Sequence, residues 1–299
     1  MIKQEVAAFE PINPPGVVPP QSPLPDGAWD SHMHVFGPFA FFPVSEAPAY
    51  SLPLAPRDAN IAMLDRLGIS RGMLIQPSPY GTDNRALLDA VAASDGRLLG
   101  VASCSSAASA AELADLRSKG IIGLRFVEMT GPSGGRYSGT QGIDTLAALA
   151  ASMRRAGLHV QLWAELARAV ELAERCAADG TILVLDHLAG LSPDDLPGTE
   201  HFDRLAAAIA AGRVWVKLTY LRRSRQPGAY NDMHAVVTAL ACAAPERVIW
   251  GSDWPFVRLD RRPSGGDMLD QLRSWLGEEA FKACLVDNPA ALLAECERA

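Results

Sequence analysis

The sequence has no apolar run long enough to cross a membrane as a helix, because its longest hydrophobic stretches have only the length of strands. It also lacks an excess of basic residues. Its 27 lysines and arginines are outnumbered by 34 aspartates and glutamates, and the formal net charge is -7. Since charges of both signs are interspersed, this balance argues against a nucleic-acid partner and against a membrane association.

Cysteines are few, and none of them forms a paired motif. The five are scattered, odd in number and without C-x-x-C spacing: Cys104, Cys176, Cys242, Cys284 and Cys296. This pattern does not fit a zinc-thiolate site, a redox pair or a disulfide framework. It predicts that most of them are small core residues of a protein in a reducing, cytoplasmic compartment.

The first residues of the chain also lack the apolar core of a secretory signal peptide. Residues 1–27 are rich in proline, so we expect an extended arm on the surface, followed by a single domain at residues 28–299. With 299 residues, of which 48% are hydrophobic, the chain can build one large core.

What the sequence does contain is a repeated alternation of short apolar runs with helical segments. The runs cover residues 28–34, 72–78, 98–104, 120–127, 159–165, 181–187, 214–220 and 248–254. Near-continuous apolar character is typical of buried parallel strands, and the intervening segments carry apolar residues at three- and four-residue spacing. Eight repeats predict an α/β fold, the (β/α)8 TIM barrel. A doubly wound open sheet is the alternative, but no glycine-rich phosphate loop follows the first run.

A barrel carries its functional groups at the carboxyl ends of its strands. Most of the apolar runs finish in polar residues, which are His32, His34, Gln76, Ser78, Arg125, Asp186, His187, Lys217, Tyr220 and Asp253. The sequence therefore predicts a site at this end. His159, His201 and His234 lie at a strand start or in helical segments, and we expect them to be structural or exposed.

Three motifs at these strand ends occur together: D-x-H-x-H at residues 30–34, D-H at 186–187 and G-S-D-W-P at 251–255. With "HVFGPFAFFP", "GTDN", "GLRF" and "DNPAAL", they make the chain resemble the amidohydrolase superfamily. The branch is amidohydrolase family 2, which holds 2-pyrone-4,6-dicarboxylate lactonase and sugar-acid lactonases. The resemblance implies a barrel hydrolase that opens a lactone.

The resemblance also implies roles for the strand-end residues. Asp253 would take a proton from the attacking water and return it to the leaving oxygen. His32, His34 and His187 would converge at the barrel mouth, where they would either donate hydrogen bonds to the developing oxyanion or ligate a metal. We expect catalysis without a metal or other cofactor, because an activated lactone needs little Lewis-acid help. One divalent ion, zinc or manganese, held by these three histidines and Asp253 is the alternative.

Arginines at the strand ends indicate the kind of substrate. Their planar forks match carboxylates, so we expect a small lactone that bears at least one carboxylate. Arg125 and Arg223 match family positions that hold substrate carboxylates, and Arg136 is a further candidate. Ser78 and Tyr50 match positions whose hydroxyls line the substrate.

The chain departs from the pyrone lactonase pattern at three positions. Gly190 replaces an arginine, Phe256 replaces a histidine and Trp163 replaces a tyrosine. These changes leave the exact lactone open, and nothing in the sequence predicts an oligomeric state. A metal-dependent decarboxylase and a lactone isomerase are alternatives on the same fold. A non-catalytic binding barrel would have lost part of the strand-end set, which is complete here.

Overall fold

The computed structural model of the protein describes residues 16–46, 48, 50–131, 134–259 and 263–298. Within these residues, eight parallel strands form one sheet in which each strand pairs with its neighbour in sequence. They are β1 (Trp29–Met33), β2 (Arg71–Ile75), β3 (Leu98–Ala102), β4 (Ile121–Glu128), β5 (His159–Ala164), β6 (Leu183–Leu185), β7 (Val214–Lys217) and β8 (Val248–Ile249). Each strand overlaps one of the predicted runs, so the predicted (β/α)8 barrel is confirmed.

The barrel closes where the short strand β8 meets β1. Beyond the end of β8, the backbone N–H of His34 donates to the carbonyl of Trp254 (2.9 Å), and the N–H of Asp253 donates to the carbonyl of His32 (2.7 Å). These bonds complete the ring of strands. They also hold the two histidines of β1 beside Asp253.

Helices cover the outside of the barrel between the strands. They are α1 (Arg57–Leu67), α2 (Arg85–Ala92), α3 (Ala110–Ser118), α4 (Ile143–Arg155), α5 (Leu166–Asp179), α6 (Glu200–Ala211), α7 (His234–Ala243), α8 (Gly265–Lys282) and α9 (Asn288–Arg298). The local sequence explains where several of these helices begin or end. Ser109 and Glu112 form a reciprocal capping box at the start of α3, and α1 and α5 end at Gly68 and Gly180 in left-handed conformation.

The barrel interior near the amino ends of the strands is filled by an apolar cluster, here called the interior plug. Its buried members are Trp29, Met73, Ile75, Val101, Ile122, Ile182, Val184, Trp215, Ile249, Leu292 and Cys296. The last two belong to α9, so the C-terminal helix packs against the open end of the barrel. A second, larger apolar cluster includes residues of both the strands and the surrounding helices. Polar side chains are thereby left to the opposite end of the interior.

Residues 16–27 have no helix or strand, and they run along α8. The backbone N–H of Gln21 donates to the carboxylate of Asp270 at 2.9 Å. Residues 1–15 of the predicted arm lie outside the described residues. No helix in the described part of the chain is both long and apolar enough to span a bilayer.

Candidate active site

A cavity of about 390 Å³ opens at the carboxyl ends of the strands. Its walls are formed by His34, Tyr50, Pro77, Ser78, Arg125, Met129, Thr130, Tyr137, Trp163, His187, Arg222, Arg223, Asp253, Val257, Arg258 and Leu259. The cavity therefore lies at the end of the barrel where the strand-end residues were expected to meet.

The two histidines of β1 occupy different depths. His34 lines the cavity, and its Nδ1 lies 2.7 Å from the carbonyl oxygen of Ile75. Because a carbonyl only accepts, Nδ1 of His34 carries a proton and Nε2 points towards Asp253. His32 is completely buried behind the cavity wall, with its ring centroid 5.1 Å from that of His34. The pair thus shares one face of the strand end, but only His34 forms part of the wall.

His187 and Asp253 both reach the site from positions where the strands have already ended. Their backbones are left-handed, with φ of 51° at His187 and 61° at Asp253. Such conformations are uncommon for residues other than glycine and typically cost about 1–3 kcal/mol each. The short strands β6 and β8 make room for these turns. As a result, the imidazole of His187 lies 5.0 Å, between ring centroids, from that of His32.

Asp253 is surrounded by groups that carry or can carry protons. Its Oδ1 lies 3.3 Å from Nε2 of His34 and 3.5 Å from Nε2 of His32, while Oδ2 accepts a hydrogen bond from Nε of Arg222. Burial acts to raise the pKa of this carboxyl, but Arg222 and the bond to His34 outweigh it and hold the pKa well below its usual range. Asp253 is therefore ionised and oriented at neutral pH.

A second carboxylate lies beneath the cavity floor. Asp186 is buried, and its Oδ1 lies 3.4 Å from Nζ of Lys217. Its Oδ2 accepts a hydrogen bond from Gln161 (3.2 Å), and Lys217 donates to the amide oxygen of the same glutamine (2.8 Å). Burial opposes ionisation of Asp186, yet its contacts with His32 and Lys217 keep its pKa well below the usual range. These three residues support His32 from below.

Asp30, the aspartate of the D-x-H-x-H motif, links β1 to the loop that carries Asp253. Its Oδ1 accepts the backbone N–H groups of His32 (3.0 Å) and Ser252 (2.9 Å). Burial raises its pKa to about 6. Through these hydrogen bonds, Asp30 holds the end of β1 next to the loop that carries Asp253.

Arginines and aromatic rings form the outer part of the cavity. Arg125 donates one bond to the carbonyl of Gln76, and Arg223 donates its Nε to a backbone carbonyl. Arg258 lies over the ring of Tyr137 at 5.0 Å and over that of Trp163 at 6.0 Å. Terminal N–H groups of these arginines remain unbonded to any residue that the structure describes, so they are available to an anion.

The cavity contains most of the substrate-binding residues that the sequence indicated. Tyr50 and Ser78 lie in the wall with Arg125 and Arg223, and burial raises the pKa of the Tyr50 hydroxyl despite its bond to Ser78. Arg136 is the exception. The structure places it outside the cavity, where it pairs with Glu128 (3.3 Å) and Asp144 (3.2 Å). Those two acids pair with its guanidinium outside the cavity, so its expected contact with substrate stays a prediction.

Sequence reasoning did not assign roles to several residues that the structure brings to the site. Arg222 and Arg223 both line the cavity, but Arg222 bonds to Asp253 while Arg223 donates its Nε to the carbonyl of Leu191. No local pattern separates adjacent arginines in a turn. Tyr137 and Arg258 come from long loops. Lys217 had a detectable signal, since a lysine at the end of an otherwise apolar strand is unusual.

The three departures from the pyrone lactonase pattern have structural consequences. Trp163 lines the cavity and stacks on Tyr137 with the ring centroids 5.4 Å apart. Gly190 has φ of 90°, and a Cβ there would lie 2.9 Å from the backbone nitrogen of Leu166. Phe256 is buried. Of these three residues, Trp163 lines the cavity wall, whereas Phe256 is buried and Gly190 leaves no side chain beside Leu166.

The site contains donor atoms that a metal ion could use. His32, His187 and Asp253 bring ligand atoms within 4.8 Å of one another. Nε2 of His32 and Nδ1 of His187 are buried without a hydrogen-bond partner among the described residues. Imidazole and carboxylate are ligand types that suit zinc.

Cations already lie close to the carboxylates around these atoms. Arg222 already pairs with Asp253, and both Lys217 and Arg125 lie near Asp186, the latter at 3.9 Å. Three permanent or near-permanent cations therefore face two carboxylates. A divalent ion would add repulsion inside a buried site, where charges interact strongly.

Comparison with known proteins gives a consistent result. A model of the family described as "Amidohydrolase" matches residues 29–294. The 4-sulfomuconolactone hydrolase of Rhizobium radiobacter is 32% identical over 297 residues, which cover 94% of this chain and 98% of the relative. The 2-pyrone-4,6-dicarboxylate hydrolase of Comamonas testosteroni is 32% identical over 288 residues, covering 91% and 92%.

A solved structure shows the same similarity. The crystal structure of a Pseudomonas putida protein described as a 2-pyrone-4,6-dicarboxylic acid hydrolase superimposes with a TM-score of 0.75 at 29% identity. The match covers 91% of this chain and 99% of that one.

Proposed function

This chain belongs to the amidohydrolase family, and from that membership we propose that it hydrolyses a small lactone that carries a carboxylate and a second anionic group. The observation that supports the proposal most directly is the placement of an ionised Asp253 beside His34 and His187 in a cavity lined by arginines. A base, hydrogen-bond donors and anion-binding groups are thereby gathered around one volume large enough for a small ring.

Asp253 is the group that activates water. Its Oδ1 faces the cluster of imidazoles, while Arg222 holds Oδ2 and keeps the carboxylate from rotating. A water molecule bonded to Oδ1 would lose a proton to it as its oxygen attacks the ring carbonyl. The proton then passes from Asp253 to the ring oxygen that leaves, so the carboxylate is regenerated and the product is an open-chain hydroxy or keto acid.

His187 supplies a hydrogen bond to the carbonyl oxygen as it becomes an oxyanion, whereas the Nδ1–H of His34 is already donated to the carbonyl of Ile75 and its Nε2 faces Asp253. His187 lines the cavity. Burial lowers the pKa of His187 to about 4, so this ring is neutral at pH 7 and keeps one N–H to donate. A donor fixed in advance at the position where charge develops typically contributes a factor of about 100 to 1000 in rate.

Arg125 and Arg223, with the hydroxyls of Ser78 and Tyr50, bind the acidic substituents. Their unbonded N–H groups face the cavity, and a charge-assisted fork discriminates strongly between an ionised and an esterified acid. Two of the relatives act, by name, on lactones with a sulfonate or with two carboxylates. Arg258 over the aromatic wall adds a further cation for a second anionic group.

The reaction is tested in water labelled with ¹⁸O, using a matched panel of lactones. The panel contains unsaturated five- and six-membered lactones with no acid, one carboxylate, two carboxylates, or one carboxylate and one sulfonate. In H₂¹⁸O we expect one solvent oxygen in the new carboxylate, with the highest kcat/KM for the dianionic lactones. A product without solvent oxygen would show an isomerase, and release of carbon dioxide would show a decarboxylase.

The absence of a metal requirement is a separate part of this proposal. It is checked by mass spectrometry of tag-free protein, followed by assays before and after chelation. We expect less than stoichiometric metal and unchanged kcat. Stoichiometric zinc or manganese, with activity lost to the chelator and restored by that ion, would overturn this part and make His32, His187 and Asp253 ligands.

A further inference from the structure

One buried group has no role in the reaction described above. Lys217, at the end of β7, has no exposed surface and is not part of the cavity wall. A lysine is rarely buried completely unless it is paired. Its Nζ lies 2.8 Å from Oε1 of Gln161, 3.4 Å from Oδ1 of Asp186 and 3.3 Å from Nδ1 of His32. The contact with His32 connects Lys217 to the site.

Two neighbours of His32 require opposite protonation states of its Nδ1. The side chain of Lys217 donates hydrogen bonds and has no acceptor while it is charged, so its contact requires a lone pair on Nδ1. Asp186 Oδ1, 3.2 Å from the same atom, only accepts and would require a proton there. Since a neutral imidazole has one proton, the stronger contact decides which nitrogen carries it.

The geometry favours Lys217. Its approach to Nδ1 of His32 has hydrogen-bond geometry, whereas Oδ1 of Asp186 has no hydrogen-bond partner among the described residues. A charged Lys217 has only N–H groups to offer, so its contact requires a lone pair on Nδ1 and therefore a ring with a single proton. That proton is then on Nε2.

The position of this proton matters for Asp253. Nε2 of His32 lies 3.5 Å from Oδ1 of Asp253. A protonated Nε2 attracts the carboxylate oxygen, while a lone pair on Nε2 would repel it. Because the distance is longer than an ordinary hydrogen bond, the effect is one of orientation and charge and does not amount to a tight bond.

We propose that Lys217 is a positioning residue that holds His32 in the Nε2–H tautomer, so that His32 presents an N–H to Asp253. Lys217 acts through His32 and touches neither water nor substrate. The kinetic consequence rests on the proposed function of Asp253, but the tautomer itself does not.

The tautomer can be measured on the unmodified protein. Long-range ¹H–¹⁵N correlation spectra of protein labelled at its histidines distinguish Nδ1–H, Nε2–H and doubly protonated rings, and the His32 signals are assigned by their loss in His32→Gln. We expect Nε2–H for His32 at pH 7. Finding Nδ1–H or a doubly protonated ring would overturn the proposal without any lysine variant.

Lys217→Met then tests the cause. Methionine has a similar length but cannot donate, so Asp186 becomes the remaining partner of Nδ1. We expect the His32 proton to move to Nδ1 and kcat to fall by about 10- to 100-fold, as for other residues that orient a functional histidine, with KM changed less than about twofold. An unchanged tautomer, or an equal effect on KM, would contradict the proposal.

Two controls separate positioning from general destabilisation. Ile122→Ala removes buried volume from the interior plug without touching the network, and Lys119→Met removes an exposed lysine that pairs with Asp115. Neither is expected to change the His32 tautomer or kcat. If the lactone panel fails but the tautomer shifts in Lys217→Met, the positioning role stands and the proposed substrate is wrong. If Lys217→Met does not fold, the spectrum of the unmodified protein still decides.

Discussion

The two ends of the barrel interior are built on the same strands but have opposite chemistry. Near the amino ends, the interior plug is apolar and is covered by Leu292 and Cys296 of α9. Near the carboxyl ends, the interior holds Asp186, Lys217 and Asp253, and each of these charges has an oppositely charged partner. Apolar packing thus dominates one end of the interior and ion pairs dominate the other.

Buried histidines make the comparison sharper, because the same residue type occurs at both ends. His159 lies at the start of β5, with Nδ1 3.8 Å from Sγ of Cys296. Burial lowers its pKa to about 3. A Cβ at position 123 would lie 2.5 Å from its ring, so Gly123 is required for this packing. His159 therefore fills space, while His187, also neutral, faces a cavity and can donate to a ligand.

The largest expected effect comes from removing the base at the polar end. Asp253→Asn should lower kcat by at least about 100-fold, because an amide cannot accept the proton of the attacking water. Asparagine tolerates the left-handed backbone as well as aspartate does, so the variant should remain folded. The measurement is kcat on the best lactone of the panel, with circular dichroism as the folding check. Retention of a tenth of the activity would show that another group is the base.

The apolar end should show the reverse behaviour. Ile122→Ala removes buried methyl groups from the interior plug and should lower the free energy of unfolding by about 2–5 kcal/mol, with kcat of the folded fraction unchanged. Urea unfolding followed by tryptophan fluorescence, together with the lactone assay, tests both statements. A large loss of kcat at constant folded fraction would mean that the two ends are not independent.

Replacing the arginines in the outer part of the polar end tests whether they bind the carboxylate of the substrate. Arg125→Met and Arg223→Met should each weaken binding of a carboxylated lactone by about 1.5–3 kcal/mol, with a smaller effect on its methyl ester. Arg136→Met is the matched control, because Arg136 pairs with Glu128 and Asp144 outside the cavity. Equal losses for acid and ester would show that these arginines do not bind the carboxylate.

The smallest expected effect is a change in the pH dependence of stability. The pKa of His159 is about 3 when folded against about 6.5 when unfolded, so the unfolded chain binds more protons between these values. Stability therefore falls as the pH is lowered from 6.5 towards 3, with a slope of up to about 1.4 kcal/mol per pH unit from this residue.

Replacing His159 by glutamine should remove this contribution and flatten the acid side of the stability profile. Urea unfolding at pH 7 and pH 5 measures the difference. His234→Gln, at an exposed histidine that stacks on Trp275, is the control. An identical acid slope in unmodified protein and His159→Gln would show that His159 is not a source of the acid sensitivity.

The sequence by itself determined the fold class and the end of the barrel at which the site lies. Strand and helix patterns are local, since burial on both faces makes a continuous apolar run and an amphipathic helix repeats every three to four residues. The ends of those runs therefore revealed His32, His34, His187 and Asp253 before any tertiary contact was known.

The tertiary structure decided which side chains meet and which way they point. The adjacent residues Arg222 and Arg223 both line the cavity but have different partners, because the turn after β7 directs Nε of Arg222 towards Asp253 and Nε of Arg223 towards the carbonyl of Leu191. Glu128 and Asp144 pair with Arg136 outside the cavity. The closure of β1 on β8 places His32 behind the cavity wall. These outcomes depend on contacts between residues that are not neighbours in sequence and whose side-chain directions follow from packing, so no local pattern encodes them.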